Sequence, residues 1–147
     1  MNRLKILHPA LTVILAFVLA GSASAEQKQR LGVWDVHYVV IPTLFLKPDI
    51  AASYDVVRGV DRAMMNISVL DSDGVPVHAA LTGSMTNLLG QVQALSFREV
   101  TEGEAVYYLA EVKHTDRETL RFRVEIVPPD GTAQVLAFQQ QMFWEGR

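Results

Sequence analysis

From residue 33 to residue 144, apolar and polar residues alternate in short runs, broken at intervals of roughly ten residues by Gly, Pro, Asn or Asp. A period of two belongs to a strand, whose successive side chains point to opposite faces. The cleanest case is 118–127, where Leu120, Phe122, Val124 and Ile126 alternate with Thr119, Arg121, Arg123 and Glu125. The same reading predicts strands at 33–41, 62–70, 75–86, 91–100, 105–113 and 133–144, seven in all. Asn87-Leu88-Leu89-Gly90 joins the third strand to the fourth. Asn opening and Gly closing is the residue usage of a type I turn carrying a four-residue hairpin loop. Asp71-Ser72-Asp73-Gly74 and Pro128-Pro129-Asp130-Gly131 are turns by the same chemistry. Strand 105–113 has apolar residues on both faces and is expected at the centre of its sheet.

Residues 42–61 lack the alternation. Pro48, with Asp49 beside it, suits the first turn of a helix, and Ile50, Ala51, Ala52 and Tyr54 continue it. The expectation is a short helix capping one end of the domain while the chain crosses to another sheet. Residues 26–30 are polar and are expected to fray. Seven short, evenly spaced strands argue for an all-β fold, a single antiparallel β-sandwich of immunoglobulin or fibronectin III type.

Composition changes this picture at the N-terminus. Arg3 and Lys5 precede an apolar run, and Ala23-Ser24-Ala25 has the small-x-small pattern of a signal-peptidase site. The run 6–21 would span about 24 Å as a helix, short of the roughly 30 Å of a bilayer core. The expectation is a cleaved signal peptide at 1–25 and a soluble periplasmic domain at 26–147, delivered by the general secretory route. Cleavage leaves 11 Lys and Arg against 16 acids, a net charge of −5 with the signs interspersed. Nucleic acid and anionic lipid are therefore poor partners. With no cysteine in the chain, a lipid anchor on Cys, a disulfide and a blue-copper site are all excluded.

Candidate chemistry is sparse. Asp35 and His37 share a strand face, as a carboxylate orienting a ligating imidazole would, but His78 and His114 stand at no metal-ligand spacing from them. Met64 and Met65 are adjacent on a strand and must face opposite ways, so they cannot clamp one copper ion; Met65 and Met142 read as core residues. Asp71–Gly74 starts like a calcium loop but has Pro76 and Thr82 where Gly and Glu are needed. Gly83-Ser84-Met85 lies within a strand and cannot form a nucleophile elbow. No catalytic residue, metal ligand set or cofactor is assigned. Recognition groups are easier to name: Phe45, Lys47, Tyr54 and Arg58 on the long connection, and the outward pair Arg121 and Arg123.

Several segments together resemble a known family. They are Glu26-Gln27-Lys28, Asp35–Tyr38, Asn66-Ile67-Ser68-Val69, Asn87–Gln91 with Leu95 and Phe97-Arg98-Glu99, Ala105–Glu111 and Glu118–Phe122. They resemble the small exported proteobacterial proteins grouped as domain of unknown function 4426. The stretch 41–47 departs, reading IPTLFLK where a more polar segment is expected. The resemblance implies export and a β-rich domain and carries no activity. The preferred reading is a non-catalytic periplasmic binding or accessory protein, with a protein or small-molecule partner, acting through an edge strand or the 42–61 end. The alternative is a metal-binding protein or enzyme centred on Asp35 and His37.

Overall fold

Strict alternation in the sequence becomes the longest strands of the structure, a computed structural model that describes residues 26–145. The signal-peptide reading falls on residues 1–25, outside the described residues. In chain order the strands are β1 (Gln27–Leu31), β2 (Trp34–Pro42), β3 (Arg62–Leu70), β4 (Ala80–Asn87), β5 (Val92–Leu95), β6 (Arg98–Glu102), β7 (Ala105–Lys113), β8 (Thr119–Val127) and β9 (Gln134–Gln141). Between β2 and β3 lie a 3-10 turn, Thr43–Phe45, and the one helix among the described residues, α1 (Pro48–Ser53). The fold is all-β. One sheet has the order β1-β2-β3-β7-β6 and the other β5-β4-β8-β9, with every named pair antiparallel.

The core lies between the two sheets and is built from one face of each strand. Val36, Tyr38 and Val40 of β2 meet Met65, Ile67 and Val69 of β3 and Leu120, Phe122, Val124 and Ile126 of β8, all buried. Complete burial of such side chains contributes roughly 1.5–3 kcal/mol each, which is how a chain without disulfides holds two sheets together. Met65, Met85 and Met142 sit in this core, while Met64 faces the other way, as adjacent strand positions require. As expected of a strand with apolar residues on both faces, β7 is an interior strand, flanked by β3 and β6.

Five local expectations are corrected. Residues 27–31 do not fray: they form β1 along β2, with Lys28 and Arg30 both pairing with Asp35, at 3.9 and 3.2 Å. The long connection does not change sheets, since β2 and β3 pair directly from Asp35↔Leu70 to Pro42↔Ala63. Nor does α1 plug an end of the sandwich. Ile41, Met64 and Leu109 leave an apolar patch on the outer face of the five-stranded sheet, and Leu46, Ala51 and Tyr54 cover it. Buried Thr43 fastens the root of this connection: its hydroxyl takes the Gly59 N–H at 3.0 Å and lies 3.1 Å from the Arg62 carbonyl.

The other two corrections are sheet changes. The turn at residues 71–74 forms, with the Asp71 carboxylate accepting the Asp73 and Val75 N–H groups at 2.9 Å. The expected strand 75–86 then pairs with β3 only at its start, through the Val77 N–H to the Val69 carbonyl at 2.9 Å, before the chain crosses to the other sheet as β4. The expected strand 91–100 is likewise two strands, β5 in the four-stranded sheet and β6 in the five-stranded one, with Ser96 and Phe97 at the switch.

The first crossing is tied down by Glu99 of β6. Its carboxylate lies 2.7 Å from His78 Nδ1 and accepts the Tyr108 hydroxyl at 2.9 Å, while that hydroxyl accepts the Ala79 N–H at 2.7 Å. Burial pushes the Tyr108 hydroxyl up to about 12, so it stays protonated and donates. The hydrogen bonds from His78 and then Tyr108 hold the Glu99 carboxyl below its ordinary value of 4.5. A lowered folded-state pKa adds stability that is present above the unfolded value and disappears as pH falls through the folded one. Glu99→Gln is therefore expected to melt below the wild type near neutrality and level with it in strong acid. Thermal melts from neutral pH downward check this; an offset that persists unchanged into acid contradicts it.

Candidate functional site

Two sheets have four edges, and three of them are closed. β1 and β9 face each other along one side, where the Gln29 side-chain amide donates to the Ala137 carbonyl at 3.3 Å and that of Gln140 donates to the Val40 carbonyl at 3.2 Å. The Tyr38 and Phe138 rings, 4.4 Å apart, pack beneath this seam. β6 carries Arg98, Glu99 and Glu102, and Arg98 reaches over to the Tyr54 carbonyl and the Asp55 carboxylate. Charges on an edge and a connection laid against it are ordinary protection against unwanted strand pairing.

β5 has neither. From Leu81 to Phe97 the chain contains no charged residue. Val92, Gln93 and Ala94 are all exposed, and the hairpin tip presents Leu88 at 63% and Leu89 at 85% exposure, with Val92 at 66%. The tip itself is well made, which rules out a loose loop. Asn87 Oδ1 accepts the Leu89 and Gln91 N–H groups at 3.1 and 3.0 Å, and the Gly90 N–H closes on the Asn87 carbonyl at 3.0 Å. Gly90 sits at φ +80°, open to glycine and strained for other residues.

Hydrogen-bond alternation gives the edge its direction. The Asn87 N–H donates to the Gln91 carbonyl at 3.1 Å, so this pair and, two residues on, Met85↔Gln93 and Gly83↔Leu95 bond across the ladder. The N–H and C=O groups of Val92 and Ala94 then point away from β4, toward solvent. Beside them on the outer face of the same sheet, the paired registers bring Thr86 against Arg121 and Ser84 against Arg123. Arg121 donates to Gln139 at 3.3 Å, and both arginines are exposed.

The residues singled out from sequence lie in separate places. Asp35 is held by Lys28 and Arg30, and His37 Nδ1 lies 2.8 Å from the Glu26 carboxylate. His78 pairs with Glu99, and buried His114 turns Nδ1 to the Thr115 carbonyl at 2.9 Å. Among the described residues, no three His, Asp or Glu side chains gather where a metal ion could be held. Phe45 is exposed, and Arg58 donates to the Leu44 carbonyl at 3.2 Å. Tyr54 is half-buried and donates to Glu102; burial first, then that bond, raises its hydroxyl pKa. Sequence reasoning passed over Val92, Ala94, Leu88 and Leu89, although the charge-free run containing them was there to be read.

Comparison with known proteins bears on this arrangement. A model of the family described as "Domain of unknown function (DUF4426)" matches residues 28–145. The chain belongs to the DUF4426 family. A crystal structure of a DUF4426 family protein from Pseudomonas aeruginosa PAO1 is 38% identical, covering 82% of this chain and 97% of that one, with a TM-score of 0.74. FetP of uropathogenic Escherichia coli strain F11, expressed in the periplasm of a laboratory strain, shares 10% identity over 86% of this chain and all of its own, with a TM-score of 0.59. A copper-bound variant of FetP shares 12% identity over 81% and 95% of the two chains, with a TM-score of 0.55. At such identities the likeness to FetP is one of fold. No curated protein matches the chain. Among the described residues no helix is long and apolar enough to cross a membrane.

Proposed function

We propose that this DUF4426 protein is an exported, non-catalytic recognition domain that docks an extended segment of a partner protein onto β5. The supporting observation is the free edge at Val92 and Ala94, uncharged and flanked by the exposed leucines of the hairpin tip, while the other three edges are closed or charged. Strand addition draws its affinity from backbone hydrogen bonds and its specificity from alternate side chains. Here the added strand would meet Val92 and Ala94 on one face and the leucine tip at its end. The leader pattern at 1–25 supports export to the periplasm. The 42–61 connection has less in its favour as the docking surface, because Leu46, Ala51 and Tyr54 are already spent on covering the sheet.

A photo-crosslinking residue placed at Val92 in intact cells is expected to trap a protein, and one placed at Thr101 on β6 is not. Ala94→Pro removes an N–H that faces outward, so it is expected to abolish the adduct with little change in melting temperature. Equal trapping at both positions, or none at Val92, refutes strand docking. The alternative centred on Asp35 and His37 has weaker support. One solved FetP variant is copper-bound, but here Asp35 and His37 are engaged by β1 and Glu26, and among the described residues no group of three His, Asp or Glu gathers around them.

A further inference from the structure

The seam between β1 and β9 closes only part of its side. β1 begins at Gln27, opposite Tyr38, and among the described residues no strand pairs with β2 on that side from Val39 to Pro42. β9 runs beside this stretch, since the Gln140 side chain reaches the Val40 carbonyl at 3.2 Å. A groove of about 300 Å³ lies between the two strand edges, at the lower bound of small-molecule sites. Phe45 and Phe143, both exposed, line it, one following β2 and the other following β9. β5 lies at the opposite edge of the four-stranded sheet.

Ladder alternation shows which backbone groups enter the groove. The Met142 N–H donates to the Glu118 carbonyl at 2.7 Å, so Met142, Gln140 and Phe138 spend their backbone groups on β8. Those of Gln139 and Gln141 point the other way, as the Ala137 carbonyl does where it takes the Gln29 amide. Among the described residues, the N–H and C=O groups of Gln139 and Gln141 have no partner. The groove therefore offers neutral donors and neutral acceptors side by side, and no Lys, Arg, His or Asp lines it. Glu145 does, and cleavage after Ala25 would add an α-ammonium one residue before Gln27, so a charge of either sign would meet one group of each. A peptide strand fits poorly: the Gln140 side chain already spans the gap, and Pro42 has no N–H to give. A pyranose fits both features, since its hydroxyls donate and accept and its C–H face packs on a phenyl ring. An acetamido group is itself a peptide unit and answers a strand edge with one donor and one acceptor.

We propose that this groove binds a neutral sugar carrying an acetamido group, held by the backbone of Gln139 and Gln141 and packed against Phe45 and Phe143. The inference is independent of strand docking at β5. N,N′-diacetylchitobiose is the probe, followed by amide chemical shifts of the purified protein. Its deacetylated form, with ammonium groups in place of the acetamides, and acetyl-alanyl-alanine methylamide, a peptide without a sugar ring, are the comparators. The probe is expected to move the Gln139 and Gln141 N–H signals and to leave those of Phe138 and Gln140, already bonded to β8, nearly still. It should bind about tenfold more tightly than either comparator. Phe45→Ala and Phe143→Ala, at exposed positions, should each weaken it about fivefold without lowering the melting temperature. Equal binding of the diamine or of the peptide overturns the proposal. So do shifts at Phe138 and Gln140 as large as those at Gln139 and Gln141, or no shift at roughly 10 mM probe.

Discussion

Phe122→Ala is expected to cost about 3–5 kcal/mol and to leave the protein close to unfolding, since small domains have only about 5–15 kcal/mol in total. Phe122 is 2% exposed and lies at the centre of β8, opposite Met85 on β4 and Phe138 on β9. Its ring stacks on Phe138 with centroids 4.9 Å apart, and Phe138 in turn lies 4.4 Å from Tyr38 on the other sheet. Removing the ring opens a cavity and cuts the aromatic column that joins the sheets. The loss comes from transfer and cavity together, so Phe122→Leu should cost much less, about 1 kcal/mol. Urea unfolding of both variants measures the difference. A cost for the alanine variant under about 1 kcal/mol would mean that the ring is not the keystone described here.

Gly83→Val is expected to lose at least about 2–3 kcal/mol for the opposite reason, overpacking. Gly83 has an ordinary backbone conformation, so its importance is spatial. A Cβ built there would meet the Arg123 carbonyl oxygen at 3.0 Å, Val124 at 3.1 Å and the Phe97 ring at 3.2 Å. The carbonyl belongs to the β4–β8 ladder and has no room to give, so the ring must move. Phe97 is the last residue before β6, and its displacement pulls on the point where the chain passes from one sheet to the other. Gly83→Val should therefore lower the urea midpoint and expose Phe97, whereas Gly83→Ala, adding one carbon, should show a smaller loss. Wild-type stability in the valine variant would contradict a seat for Phe97 over Gly83.

The sequence was most informative where a face is buried. The alternation in β8 and the apolar run Ala105–Ala110 of β7 translate directly into position, because a strand packed on one side must alternate and a stretch packed on both must not. The helix was legible from Pro48 and Asp49. β1 escaped notice because QKQRL has no apolar face: its backbone pairs with β2, and its charges answer Asp35. The sheet change at Ser96 and Phe97 escaped because a single Ser beside Phe, with no Gly, Pro, Asn or Asp, is a weak turn signal, and Phe97 there packs over Gly83. The candidate site was half visible. Its lack of charge could be counted along the chain, but an edge is defined by the strand that is missing beside it, and only the pairing of β4 with β8 reveals that. The groove was beyond reach for a similar reason, since it exists where β1 stops short along β2 and leaves β9 beside Val40.

The seam between β1 and β9 joins Gln29 to Ala137, positions 108 apart in the chain. Each sheet also takes strands from before and after residue 100. A ribosome that has released only the first hundred residues has therefore made parts of two layers and the whole of neither. The domain can shut only after its last strand arrives, so a chain still being made stays open.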